Sequence, residues 1–66
     1  MISSNVKYIM RKEGKTLREV TESARISEST LLKIRKSSLI GECKLNTLRK
    51  VAQALGCKVK DLFEED

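Results

Sequence analysis

The chain has 66 residues, with 14 Lys+Arg against 9 Asp+Glu, a net charge of +5, no His, no Pro, no Trp and two Cys. A chain this short hides only about 60% of the surface its unfolded form exposes, so a single domain over 1–66, with one small core and no deep dry cavity, is expected. Without His the Ser-His and Cys-His nucleophile arrangements and most zinc sites are excluded, and no glycine-rich phosphate loop takes their place. The expectation is a protein that is not an enzyme, with no catalytic residue, no metal, no cofactor and no small-molecule substrate.

The hydrophobic and charged fractions, 39% and 35%, are those of a folded soluble chain. No apolar run approaches the roughly 18 residues a membrane span needs, and the N-terminus lacks the basic and apolar regions of a secretory signal. The expected location is the cytoplasm, with no membrane partner. Cys43 and Cys57 have neither C-x-x-C spacing nor the numbers of a stapled mini-protein, so both are expected as free thiols, Cys57 as a small core residue. Four of the nine acids (Asp61, Glu64, Glu65, Asp66) fall in the last six residues, leaving +9 on residues 1–60 and an acidic tail at 64–66. A body this positive concentrates around a polyanion, of which nucleic acid is the commonest, although a net charge of this size also serves solubility.

In chain order, Ser3 and Ser4 can cap a first helix near 4–13, with Val6, Ile9 and Met10 at helical spacing and Gly14 at its left-handed stop. Thr16-Leu17-Arg18-Glu19 fits a capping box, and Leu17, Val20 and Ala24 line one face of a second helix over 17–24. Ser27 caps a third helix over 28–36, with Leu31 and Ile34 inward. Only Arg25 to Ser27 separate these two helices, which forces a sharp angle between them. Residues 37–44 show no period and read as loop. Leu45, Leu48, Val51, Ala52 and Leu55 make the clearest amphipathic stripe, a fourth helix ended by Gly56. Val59, Leu62 and Phe63 suggest a fifth, short helix. No strand is predicted, and the fold class is all-α, a compact five-helix bundle.

The segment T-L-R-E-V-T-E-S-A-R-I-S-E-S-T-L-L-K-I-R, Thr16 to Arg35, resembles the lambda-repressor-like (Cro/repressor-type) helix-turn-helix DNA-binding family. K-x-x-M-R-K-E-G before it and L-x-T-L-x-K-V-A-Q-A-L-G-C-x-V-x-D-L-F after it extend the resemblance from Val6 to Phe63. The resemblance implies a helix-turn-helix formed by helices two and three, with helix three in the major groove of double-stranded DNA and helix two across the backbone. It assigns base reading to Glu28, Ser29 and Lys33. Lys33 can donate to guanine O6 and N7, Ser29 can donate or accept, and Glu28 can accept from cytosine N4 or simply favour the positive end of its helix. Leu32 faces outward, either against a thymine methyl or as an ordinary exposed Leu. Thr30 either packs in the turn or hydrogen-bonds. Phosphate contacts are expected from Thr16, Arg18, Arg35, Lys36, Ser37, Ser38, Lys44 and Asn46, with Arg18 and Lys44 foremost because the family contacts phosphate at the starts of its second and fourth helices.

The chain departs from the family pattern at Thr21, where a small Ala is usual, at Arg25 in place of the turn Gly, and at Arg35-Lys36-Ser37 after helix three. The loop that follows is about two residues longer than the family pattern and carries Leu39 and Ile40, which either dock on the core or make a partner surface. A non-glycine in a left-handed turn costs roughly 1 kcal/mol or more. The implied function is a transcriptional regulator, a repressor in the simplest case, acting as a homodimer on a two-fold operator, with Val59 to Phe63 and Leu39/Ile40 as candidate dimer surfaces. The alternative is an antitoxin-like or other protein-interaction module that neutralises a partner protein, with the acidic tail at its service.

Overall fold

A computed structural model describes residues 2–65. Its elements are β1 (Ile2–Ser4), α1 (Val6–Glu13), α2 (Leu17–Ala24), α3 (Glu28–Ile34), α4 (Ser37–Ile40), α5 (Leu45–Leu55), a 3-10 turn (Val59–Asp61) and β2 (Phe63–Glu65). Short polar contacts account for where several of these begin. Thr16 Oγ1 accepts the Glu19 N–H at 3.1 Å while the Glu19 carboxylate accepts the Thr16 N–H at 3.1 Å, completing the expected box at the start of α2. The backbone amide and then the hydroxyl of Thr16 hold the Glu19 carboxyl below the usual glutamate range, against a small opposing effect of burial and with help from Lys15. Ser27 caps α3, its Oγ accepting the Thr30 N–H at 3.2 Å.

α1, α2 and α5 end alike. In each, an amide two residues past the helix reaches back to a carbonyl: Lys15 N–H to Met10 O at 2.9 Å, Ile26 N–H to Thr21 O at 3.1 Å and Cys57 N–H to Ala52 O at 2.9 Å. This closure needs a left-handed residue, which is Gly14 (φ 66), Arg25 (φ 56) and Gly56 (φ 69) in turn. Arg25 is thus the one non-glycine among the described residues to carry a positive φ, which answers a question the sequence left open.

Leu31, Ile34, Val6, Val51 and Leu62 are fully buried and anchor a core completed by Met10, Val20, Ala24, Ile40, Leu48, Ala52 and Leu55. Cys43 and Cys57 are free, half-buried and packed against this core, and burial is the first cause that pushes both thiols up.

The all-α expectation needs correction at both ends of the chain. β1 and β2 pair antiparallel in the register Ile2↔Glu65, Ser3↔Glu64, Ser4↔Phe63, and the Asn5 N–H donates to Leu62 O at 2.8 Å beyond the pair. Glu64 and Glu65 are therefore strand residues and not a free acidic tail, while Asp66 lies outside the described residues. The expected fifth helix is only the 3-10 turn, stopped at its start by the Lys58 N–H bonding the Asp61 carboxylate at 3.0 Å and at its end by the strand. α1 begins at Val6 because residues 2–4 are drawn into the sheet, and Asn5, not Ser3 or Ser4, occupies its cap position. α3 stops at Ile34, two residues early, since Lys36 adopts an extended backbone (ψ 127) to start α4 inside the segment read as loop. Leu45 leaves the core stripe: it sits in the first turn of α5, before that helix meets the core, and is 57% exposed.

Two stability measurements check this account. Arg25→Gly relieves about 1–2 kcal/mol of left-handed strain and gives back about 0.4–1 kcal/mol through the freer unfolded chain, so chemical denaturation is expected to show a net gain of roughly 0.5–1 kcal/mol. Glu19→Gln keeps the capping geometry and removes the charge. Because the folded pKa of Glu19 is lowered, its carboxylate contributes above the unfolded pKa and the contribution fades as pH falls through the folded one. The variant is therefore expected to melt below the parent at neutral pH and together with it once Glu19 is protonated; a gap that persists into acid would contradict the assignment.

Candidate nucleic-acid interface

α2 and α3 are joined by Arg25, Ile26 and Ser27. Arg25 and Ile26 both turn their amides onto Thr21 O, and Ile26 packs on the core, so the left-handed step at Arg25 fixes the direction in which α3 leaves. Thr21 fits where a smaller residue is usual because its hydroxyl donates to Arg18 O at 2.9 Å within its own helix. Thr30 is resolved as a hydrogen-bonding residue: its hydroxyl lies 2.7 Å from Ser27 Oγ, with Ser29 Oγ 3.2 Å from the same atom.

A seven-residue helix with two buried positions has its orientation set by them. Leu31 and Ile34 are 0% exposed. At 3.6 residues per turn, Glu28 and Leu32 then form one outward edge and Ser29 and Lys33 the next, and all four are exposed. The structure thus brings the base-reading candidates together on a single uncovered face. Its chemistry is mixed: one carboxylate, one ammonium, one hydroxyl shared with the cap, and an isobutyl group 42% exposed.

The far end of α3 is held by a contact that sequence reasoning missed. Ser4 Oγ donates to Ile34 O at 2.6 Å and also accepts the Val6 N–H at 3.4 Å, while the Ser4 N–H donates to Ser37 Oγ at 2.9 Å. One serine in β1 therefore takes up an orphan carbonyl at the end of α3 and ties the strand to the first residue of α4. Ser4 looked only like a helix cap in the sequence, and its partners stand 30 and 33 residues away, out of reach of any local pattern.

The phosphate candidates divide by what already occupies them. Thr16 has its amide and hydroxyl engaged by Glu19, which also brings a carboxylate to the start of α2. Arg18 pairs through Nε with Glu22 Oε1 at 2.9 Å, with side chains 89% and 68% exposed, a pair worth at most about 1 kcal/mol and readily exchanged for another anion. Ser37 accepts from Ser4 but keeps its own proton to donate. Arg35 is half-buried at the end of α3, whereas Lys36, Ser38, Lys44 and Asn46 are exposed. Lys36 and Lys44 occupy the cap positions of α4 and α5, and neither helix start has a side-chain cap, so the first amides of the long α5 stand open beside a cation. Two further cations, Arg25 and Lys50, flank a groove between the end of α2 and α5 that also involves Ser23 and Gln53. Only folding brings that pair together. Among the described residues no group of three or more His, Cys, Asp or Glu is arranged to hold a metal ion, and no helix is long and apolar enough to cross a membrane.

No curated protein sequence shows significant similarity to the chain. The family model for the Cro/C1-type HTH DNA-binding domain, in contrast, matches residues 5–65, which takes in every element from α1 to β2. With the match running through the capped α2, the short turn and the exposed face of α3, the chain belongs to the Cro/C1-type helix-turn-helix DNA-binding domain family.

Proposed function

We propose that the chain is a sequence-specific transcriptional regulator that binds double-stranded DNA with α2 and α3 as its helix-turn-helix, α3 in the major groove and α2 across the backbone. The observation that carries this reading is the outward face of α3, where Glu28, Ser29, Leu32 and Lys33 stand exposed behind the buried Leu31 and Ile34. Lys33 donates to guanine O6 and N7, Glu28 accepts from cytosine N4, Ser29 bonds either partner, and Leu32 covers a thymine methyl. Phosphates on either side fall to Thr16, Arg18, Arg35, Lys36, Ser37, Ser38, Lys44 and Asn46. Lys44 and Asn46 have the strongest support, because the uncapped start of α5 adds free amides to the cation.

One module of this size offers a small interface, so a homodimer on a two-fold operator supplies the affinity that a single copy lacks. Occlusion of polymerase is the simplest consequence of such binding, which makes repression the proposed sign of regulation and the cytoplasm its setting.

Selection of bound sequences from a random duplex pool near physiological salt tests the reading. An enriched motif with two-fold symmetry is the expected result; salt-sensitive binding without a motif would reduce the interaction to the +9 of residues 1–60. On the selected duplex, Lys33→Ala is expected to cost about 1–3 kcal/mol and to relax the preference at one position. Lys44→Ala is expected to weaken specific and random DNA alike and to lower the salt slope by about one. Equal losses on both duplexes for both variants would overturn these two roles.

A further inference from the structure

A groove of about 480 Å³ lies between the end of α2 and α5, lined by Ser23, Ala24, Arg25, Lys50, Gln53 and Ala54. Arg25 and Lys50 bring two cations to it, Ser23 a hydroxyl and Gln53 an amide, all exposed, beside the methyl groups of the buried Ala24 and the half-buried Ala54. No acidic residue lines the groove. Neither cation belongs to an ion pair among the described residues, and the acid nearest to Arg25 in sequence, Glu22, is paired with Arg18 at 2.9 Å. Arg25 is also the strained member of the three left-handed helix closures, at φ 56 where Gly14 and Gly56 serve the other two. Residues held in such conformations gather at ligand clamps, where the side chain does what a glycine could not.

We infer that this groove binds an acidic segment of a protein partner, whose carboxylates are taken by the Arg25 guanidinium and the Lys50 ammonium. A guanidinium presents paired N–H donors that match a carboxylate, and an ammonium adds a compact charge, so two cations from two elements suit a run of acids. A small molecule fits less well. Such ligands bury most of their surface in mainly apolar cavities, whereas four of the six lining side chains are polar and exposed. The chain's own acids are not the occupant, in this copy or another, because Glu64 and Glu65 are held in β2 against β1. DNA is disfavoured by position. The phosphate contacts proposed above fall at the starts of α2 and α5, and at a rise of about 1.5 Å per residue Arg25 lies about 10 Å along α2 from Arg18, and Lys50 about 9 Å along α5 from Lys44. The groove is thus left open when the helix starts meet phosphate, and one chain can hold DNA and an acidic protein together. That last step rests on the regulator reading; the test of the groove does not.

Titration of a fluorescein-labelled hexaglutamate peptide with the free protein, up to about 1 mM at low salt, reads the groove without DNA. Wild-type protein is expected to bind the peptide. Arg25→Gly, expected to be the more stable protein, is expected to bind it about fivefold more weakly or worse, so that the loss of binding is not a loss of fold. Lys50→Ala, at an exposed position of α5, is expected to melt with the parent and to lose as much. Lys7→Ala, which removes one charge from an exposed position of α1 outside the groove, is expected to bind as the parent does. Equal losses for all three variants would reduce the binding to net charge and overturn the inference, as would a wild-type protein that does not take up the peptide. A salt titration on random duplex decides between carboxylate and phosphate. The slopes of Arg25→Gly and Lys50→Ala are expected to match that of Lys7→Ala; a slope lower by about one for each would make the groove a phosphate contact and overturn the inference. Failure to select any DNA motif, with the pattern of peptide losses intact, defeats the regulator reading and leaves the groove standing.

Discussion

The burial of Leu31 and Ile34 is the constraint on which the candidate interface depends. A helix of seven residues does not form by itself in water, because the cost of the first turn is not recovered over so few hydrogen bonds. α3 exists because two side chains are removed from solvent and both ends are tied, by Ser27 at the start and by Ser4 at the finish. Each fully buried Leu or Ile contributes about 1.5–3 kcal/mol, more than any surface ion pair. Once those two positions are fixed inward, helical geometry leaves Glu28, Ser29, Leu32 and Lys33 no direction but outward. The exposed face needs no interaction of its own to hold it in place.

The turn before α3 is where local preference and global fold disagree. Gly14 and Gly56 make the same left-handed closure without strain, and Arg25 makes it with a side chain. The packing of Ile26 on the core and the bonds of two amides to Thr21 O hold the residue there. In exchange the turn presents a guanidinium beside Lys50, adding cations to the end of α2 where a glycine would present none. A small domain tolerates such a cost when the position serves a surface, since natural sequences break local rules chiefly at functional places.

What could be read from the sequence follows from the range of the interactions involved. α2 and α5 were legible because the capping box at Thr16 and Glu19, the stop at Gly56 and the 3.6-residue stripe all act within a few residues of one another. The inward pair on α3 followed from spacing, which also turned Leu32 outward, whereas Glu28, Ser29 and Lys33 were expected from the resemblance to the family. The sheet was not legible, since strands of three residues carry no alternation worth the name and their partners lie at opposite ends of the chain. α4 is four residues long and has no period to display. Leu45 misled because periodicity reports which face of a helix a residue occupies but not how far along the helix the core extends. The groove shared by Arg25 and Lys50 and the double role of Ser4 are products of topology, so no motif could have announced them.

The division of labour among the charged residues connects the fold to its partner. Glu19 closes the start of α2, Glu22 holds Arg18, and Asp61 stops the 3-10 turn. Glu64 and Glu65 lie in β2. Most of the acids thus sit in local architecture or in the sheet, where they bring negative charge to helix starts and strand edges. The cations have no comparable internal employment: among the described residues Arg18 alone forms an ion pair, and no charged side chain is buried. Such a chain folds with its positive charges still hydrated and uncompensated, and each counterion they release on meeting a phosphate adds to binding. The electrostatic drive toward a polyanion is therefore left over from folding, and in the proposed reading it falls to the α3 face to decide where along that polyanion the chain comes to rest.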